Sequence, residues 1–407
     1  MACHRYAQTF LVGCAMWAFA CANDEGESNL RQLPSVELSE LEPVPISNGE
    51  VPGEIEEAER PLPSQLTITE IARYGSQDTA RIVVFLNRPA RYEVGKLGPS
   101  GGRGPRLYLD IDEAVYAGPT QFDVGGVVQG VRLGQQNGAL RVVLDLREQV
   151  AERVFFLPEP FRLIIDVSST RGGGALSSAR FGKEISRVVL DPGHGGHDPG
   201  AMGATGLMEK DVALDVALRA APLIARELGV SALLTRETDD FVPLDERVAR
   251  ANAFNADLFI SLHCNASHSA DSHGVMTFVL DSSRDQVALQ IAARENDASV
   301  AASTQLGRAM SQVMDTTTAR ASVTFARLLQ RASLSSLSGD YPGVWDGGVR
   351  QAGFYVLAGA HMPAVLFEMS FISNPTEELR LESAVYRQRL ADGVVNAIRA
   401  YKAGLAM

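Results

Sequence analysis

Two histidines and two glutamates, His194, Glu209, His263 and Glu368, have the types and spacing that a hydrolytic metal site requires. His194 sits in a glycine-rich loop, Asp191–Gly200, directly after the apolar run Arg187–Leu190. Glu209 follows shortly after. His263 ends a second apolar run, Leu258–Leu262, and a third run, Ala364–Phe367, delivers Glu368. Zinc in hydrolytic sites takes three protein ligands, commonly two histidines and a carboxylate, and leaves the fourth position for water. His194, Glu209 and His263 fill that count. A proton must also leave the water and reach the departing amine, and Glu368 suits that general acid–base task. Spacing alone leaves other readings open. A single histidine after a strand also suits a hydrogen-bonded loop, and glycines around His194 would suit a phosphate cradle, although no Gly-Lys-Ser/Thr follows. Glu368 is harder to read that way, because an ionised carboxylate buried without a partner is costly. His197, His268, His273 and His361 fall on loops without partner spacing and are expected to face solvent or bond locally.

The segments that carry these residues alternate between strand and helix. Lys210–Leu228 repeats apolar residues at helical spacing (Val212, Val216, Leu223, Ile224), and Val230–Thr235 reads as a strand. Leu244–Asn255 reads as a helix and Gly274–Leu280 as a strand. This order predicts an α/β domain over 185–404, a twisted, mainly parallel sheet flanked by helices. Ligands of such sheets sit at the carboxyl ends of the strands, where all four residues fall.

Before this domain, residues 66–170 hold short alternating strands separated by glycine and proline turns. Arg81–Leu86 and Arg141–Leu146 look like copies of one strand, and Arg106–Ile111 and Arg162–Val167 of another. Two related halves predict an N-terminal β-sandwich, with no cluster of His, Cys and carboxylates and hence a binding or scaffolding role. The glycine- and serine-rich stretch 171–184 is a flexible linker by composition.

The chain has 407 residues, 45% of them hydrophobic, and a net charge of −12. Much of that charge is local: eleven acidic residues fall between Asp24 and Glu59, against Arg31 and Arg60. The rest is only mildly acidic, which argues against nucleic acid as a partner, since phosphate binding needs a basic surface. Residues 1–22 read as an export signal, with Arg5 in front of a short, largely apolar run and small residues at Ala18 and Ala20. The run is too short for a membrane span. Cleavage near Ala20 or Ala22 and lipid attachment at Cys21 both fit. Residues 23–65 are acidic and studded with proline, the composition of a disordered tether. Three of the four cysteines, Cys3, Cys14 and Cys21, belong to the signal, so a disulfide framework is not expected and Cys264 is read as a buried small residue.

The sequence around the four residues carries a resemblance. Val188–Ala201 with Glu209-Lys210 resembles the opening motif of the zinc-dependent N-acetylmuramoyl-L-alanine amidases. Thr235-Arg236, Leu244–Arg247, Ala251-Asn252 and Ala256–Ala266 are similar to the middle of that domain, and Gln351–Leu357 and Pro363–Pro375 to its end. Two positions depart from it: Met369-Ser370 replace a small residue and glycine, and Cys264 replaces alanine. The resemblance implies hydrolysis of the amide between N-acetylmuramic acid and L-alanine in peptidoglycan, with His194, Glu209 and His263 on Zn2+ and Glu368 as the catalytic carboxylate. A catalytically inactive wall-binding protein and a zinc peptidase acting on the stem peptide are the alternatives.

Residues 66–170 are similar, more loosely, to the AMIN module that carries such enzymes to the wall. The resemblance further implies a periplasmic enzyme of cell division, with a LytM-like activator as partner and the membrane touched only through a lipid at Cys21. Residues 284–334 stand where septal members carry a self-inhibiting helical insert. Arg294-Glu295-Asn296 resembles its start, so a helix could cover the cleft and Glu295 could take the position of water; a plain scaffold helix is the competing reading. Gly195 and Gly196 are expected to keep the open face of the metal clear for a bulky glycan substrate.

Overall fold

The computed structural model describes residues 63–171, 184–314 and 316–405. The expected signal, nearly all of the expected tether and most of the 171–184 linker lie outside them. No helix among the described residues is long and apolar enough to cross a membrane.

The N-terminal region is a β-sandwich of two antiparallel sheets. One orders its strands β1 (Ile68–Gly75), β2 (Thr79–Leu86), β9 (Arg162–Ser169) and β8 (Val150–Leu157). The other orders β3 (Tyr92–Leu97), β4 (Arg106–Asp112), β7 (Ala139–Leu146), β6 (Val128–Gln136) and β5 (Gln121–Gly125). The two repeat copies pair crosswise, β2 with β9 and β4 with β7, so each sheet holds one strand of each type. The register sets Arg81 opposite Asp166 and Arg141 opposite Asp110, an opposite-charge pair in each sheet. Ile82, Val84, Ile165 and Val167 meet Leu107, Leu109, Val142 and Leu144 in the sandwich core.

The C-terminal region is a six-stranded sheet. Its order is β11 (Ser231–Leu234), β10 (Arg187–Pro192), β12 (Leu258–Asn265), β15 (Ala364–Phe371), β13 (Val275–Leu280) and β14 (Asp346–Ala352). All neighbours run parallel except β13 and β15, so the sheet is mainly parallel, as expected, with one antiparallel pair that makes it mixed. The chain leaves β10 to one side for β11 and returns to the other for β12. That reversal opens a crevice beyond the carboxyl ends of β10 and β12.

Helix α1 (Glu209–Leu228) covers one face of this sheet. Val212, Val216, Ala220 and Ile224 are buried on one stripe, and Gly229 closes the helix with a left-handed residue. Each such valine or isoleucine contributes about 1.5–3 kcal/mol on full burial. Helices α2 (Leu244–Ala253), α6 (Pro375–Glu382) and α7 (Ala384–Leu405) complete the layers. The segment 284–334 forms α3 (Gln286–Glu295), α4 (Val300–Val313) and most of α5 (Thr316–Ser338). Leu329 and Phe325 of α5 enter the sheet core, so that part of the segment is scaffold.

Candidate functional site

Three strand ends and one helix start deliver the four residues to the crevice. His194 follows β10 with a backbone φ of 58°, a left-handed conformation that is costly for a non-glycine residue and must be held by its surroundings. Two buried arginines hold it. Arg247 donates to the carbonyls of Val242 (2.8 Å), Pro192 (2.6 Å) and His194 (2.7 Å) and to Asp191 Oδ1 (2.9 Å). Arg236 donates to the carbonyls of Pro192 (3.0 Å), Gly193 (2.8 Å) and Lys210 (2.7 Å), tying the loop to α1. Asp191 also accepts from Thr235 Oγ1 (2.5 Å) and Ser261 Oγ (2.7 Å). Burial alone would raise the Asp191 pKa, but Arg247 and the two hydroxyls outweigh it and leave the carboxyl below its usual range.

Arg247→Met is therefore expected to cost about 3–5 kcal/mol of stability, because it leaves the Asp191 charge buried without its cation. Denaturant unfolding of the metal-free protein measures this, and a loss near zero would show the network to be dispensable.

The histidines and Glu209 converge on one point. Asp198 Oδ2 holds His194 Nδ1 at 2.8 Å, which turns Nε2 toward Glu209 Oε1 at 3.1 Å. His263 Nδ1 lies 3.0 Å from the same oxygen. Glu209 begins α1, where the helix N-terminus favours a carboxylate, and accepts from the backbone N–H groups of Ala201 (2.8 Å) and Cys264 (2.9 Å). Cys264 itself is buried in the sheet core, on the face away from this cluster, as strand alternation requires.

A fourth residue joins them. Glu295, at the end of α3, places Oε2 2.9 Å from His263 Nδ1 and 3.3 Å from His194 Nε2. Ligand atoms of His194, Glu209, His263 and Glu295 all lie within 4.8 Å of one another, a set that could hold a metal ion. His194 Nε2 and Glu295 Oε2 are buried without a hydrogen bond, as expected of atoms facing a cation.

Charge gives a second test of fit. Burial would lower both histidine pKa values, but Glu209 drives His194 well above its usual value and Glu295 leads in raising His263 to about 9. Burial works to raise Glu209, yet the His194 charge dominates and brings it down to about 2. Two imidazolium charges thus balance two carboxylates, and one divalent cation could replace both protons.

Glu368 lies directly opposite His263 in the β12–β15 register. It is completely buried, and neither of its carboxylate oxygens has a hydrogen bond. Burial, with the neighbouring Glu295 charge, pushes its pKa up to about 8, against the pull of Arg294 3.8 Å away. A cavity of about 530 Å³ opens over the cluster, lined by His194, His197, Phe241, Arg247, Arg294 and Glu295 among others. Glu368 is not on its wall. Arg294 and Glu295 close that side, with Arg294 tied to the Ala266 carbonyl (2.5 Å) and to Asn265 Oδ1 (3.1 Å).

The glycines have a different reason from the expected open face. A Cβ on Gly195 would meet the Asp240 carbonyl at 2.2 Å, and one on Gly196 the Phe241 backbone at 2.9 Å; both have positive φ. They let the loop pack on 240–241. Gly200 and Gly193 guard the cluster, since a Cβ on Gly200 would fall 2.6 Å from Glu209 Oε2 and from His194 Cδ2, and one on Gly193 2.4 Å from His263 Cε1. Gly193→Ala is expected to weaken metal binding roughly 10–100-fold by displacing that ring, as measured by chelator competition; unchanged affinity would mean the ring is not confined. Of the remaining histidines, His273 bonds locally to the Asp271 carbonyl, and the ring of exposed His197 lies 4.3 Å from that of Phe241, tilted by 43°, at the cavity rim.

A family model of N-acetylmuramoyl-L-alanine amidases (Amidase_3) matches residues 188–400, the whole region that builds this site. The chain belongs to the N-acetylmuramoyl-L-alanine amidase family. It hydrolyses the amide between N-acetylmuramic acid and L-alanine in peptidoglycan. The amidase is 30% identical over 329 residues to N-acetylmuramoyl-L-alanine amidase AmiC of Neisseria meningitidis serogroup B, covering 79% of this chain and 72% of that protein. It is 35% identical over 222 residues to AmiC of Escherichia coli O6:H1, covering 53% of this chain and 52% of that one. Among solved structures, AmiC2 of Nostoc punctiforme is 30% identical, covers 53% of this chain and 96% of its own, and has a TM-score of 0.41.

Sequence reasoning named His194, Glu209, His263 and Glu368, and the structure gathers all four. It did not assign a role to Asp191, Arg236 or Arg247. A partial signal existed, since Asp191 and Arg236 follow the apolar runs of β10 and β11, but Arg247 lies inside α2 and nothing local says that the three meet.

Proposed function

We propose that this amidase is a periplasmic zinc enzyme in which His194, Glu209 and His263 hold the ion and Glu368 moves the proton. The observation that carries the reading is the pairing of a ligand cluster with a buried carboxylate, one strand away, that accepts no hydrogen bond. Zinc bound there would supply Lewis acidity, making water more acidic and polarising the scissile carbonyl. Glu368 takes the proton of the attacking water and returns it to the amide nitrogen of L-alanine as the C–N bond breaks. Its raised pKa suits both directions, since a carboxyl poised near neutrality can accept and donate. Asp198 keeps His194 in one tautomer, and Arg236 and Arg247 fix the loop on which it stands.

Two further assignments complete the proposal. Glu295 is a blocking ligand that fills the position of water and Arg294 shields Glu368, a reading supported by the contacts of Glu295 with both histidines, and an activator of the LytM-like type would open the site. The sandwich, 66–170, is an AMIN-like module that directs the enzyme to the wall during daughter-cell separation. Export would follow from residues 1–22, with lipid attachment at Cys21 or ordinary cleavage, and the acidic 23–65 would serve as a tether.

Incubating purified sacculi with the protein, with and without chelator, tests the catalytic reading. Intact stem peptides released only by the metal-loaded protein are expected. Cleavage within the stem peptide would point to a zinc peptidase, and no release, even after removal of the Glu295 carboxylate, to an inactive wall-binding protein.

A further inference from the structure

We propose that the sandwich has a second function besides targeting: its β8–β9 hairpin, Pro158–Arg162, latches the hinge that carries the blocking glutamate. This inference rests on the reading of Glu295 as a blocking ligand. It starts from a difference between the two repeat copies. In one sheet the Arg141–Asp110 pair is about one-fifth exposed, and Arg141 lies over the Tyr108 ring at 4.0 Å. In the other, the equivalent Arg81–Asp166 pair is 2% exposed, and Arg81 also donates to the Ala358 carbonyl of the catalytic domain at 3.1 Å. Val83, Phe155, Leu157 and Ile164 join Val248, Tyr355 and Val356 in one apolar core. One sheet of the sandwich is therefore committed to the catalytic domain.

At the rim of that core the hairpin reaches the hinge twice. Helix α3 ends at Glu295, and the chain reverses through Asn296 and left-handed Asp297 (φ 48°) before α4 starts behind Ser299. The first contact runs through Tyr355. Its hydroxyl donates to the Pro158 carbonyl, and the Arg162 guanidinium, paired with Asp245 at 3.0 Å, lies 4.8 Å from its ring centroid. The Tyr355 backbone N–H donates to Asn296 Oδ1 at 2.7 Å, next to Glu295. Asn296 Nδ2 in turn donates to the Gly353 carbonyl (2.6 Å) and Ser303 Oγ (2.9 Å). The second contact is direct: Glu159 Oε2 accepts from the Ser299 backbone N–H at 2.7 Å.

A carboxylate at that N–H stabilises the start of α4 through the helix dipole, and the anchored Asn296 fixes the end of α3. Withdrawing the end of α3, and Glu295 with it, from the histidines would move residues 296–299. Those residues are held from the sandwich side. Docking of the sandwich thus favours the closed site, and lifting it releases the hinge.

The experiment uses the full-length, zinc-loaded protein, with hydrogen exchange of residues 286–299 and hydrolysis of soluble peptidoglycan fragments as readouts. Soluble substrate removes any contribution from wall targeting. Glu159→Ala, a surface change, is expected to raise exchange in 286–299 but not in α7, and to raise hydrolysis roughly fivefold, the scale of one exposed carboxylate at a helix N-terminus. Arg162→Ala should do the same more strongly. Unchanged exchange and unchanged hydrolysis in Glu159→Ala overturn the latch, whatever Arg162→Ala does to folding. Glu295→Ala separates the two readings. If it activates and Glu159→Ala changes nothing, the blocking reading stands and the latch falls. If it does not activate, the blocking reading falls, and the latch with it.

Discussion

Glu368→Gln lowers turnover on purified sacculi by roughly a thousandfold, within the range for loss of a positioned acid–base group, while zinc content stays at the wild-type level. The amide keeps the shape of the side chain but cannot take a proton from water or deliver one to the leaving nitrogen. Glu368 does not bring a ligand atom into the metal cluster, so affinity for the ion should be unaffected. The same substitution should make the metal-free protein more stable in alkali. The Glu368 pKa is about 8 in the folded chain, against an ordinary value of 4.5, so the folded state holds this proton more tightly than the unfolded state. Its favourable contribution is complete below about pH 4.5 and is lost as pH rises through about 8. Glutamine carries no such charge. Thermal melts at pH 9 are expected to show the variant above wild type by a few degrees, and a shared or lower Tm would remove the claim that the carboxylate is strained by burial.

Glu295→Ala raises basal hydrolysis roughly 10–100-fold, the scale of a typical coupling free energy between a blocking element and a site. The carboxylate has three reasons to stay where it is: both histidines face it, and Arg294 holds its other oxygen at 2.7 Å. Burial opposes the charge, but the His263 and Arg294 charges outweigh it and keep the Glu295 pKa well below its usual value. Removing it leaves three ligands for the ion and an open fourth position. It also removes one of the groups, beside the Ala266 carbonyl and Asn265 Oδ1, that hold Arg294 near Glu368. Rates on labelled sacculi with zinc in slight excess measure the effect. Unchanged basal activity would mean that α3 is only a scaffold helix.

The sites of chemistry were legible because each is announced locally. A histidine after an apolar run, in a loop of glycines, marks a strand end, and strand ends are where α/β sheets hold ligands. Glu368 was legible for a related reason: four apolar residues precede it, so its charge had to be buried with a purpose. The sandwich was legible from its repeated strands, but its docking was not. β2 and β9 are buried along nearly their whole length whereas β4 and β7 alternate, yet β9 carries Arg162, Asp166, Ser168 and Ser169 while β7 is mostly apolar. Residue type therefore did not mark which sheet would be covered.

Other features depend on distance in the chain. Arg236 and Arg247 reach the His194 loop from residues more than forty positions away, and nothing in their own neighbourhood names the carbonyls they hold. Whether Glu295 faced the histidines or solvent turned on the phase and exit angle of α3, set by Asn296 and the turn that follows. Residue type and short-range pattern pointed to the candidate ligands, the candidate base and the strand ends that carry them, and the resemblance of their flanks to a known family named the reaction. Only the tertiary structure brings the Glu295 carboxylate to both histidines and the β8–β9 hairpin to the turn after α3, because those contacts are made between segments with no local period in common.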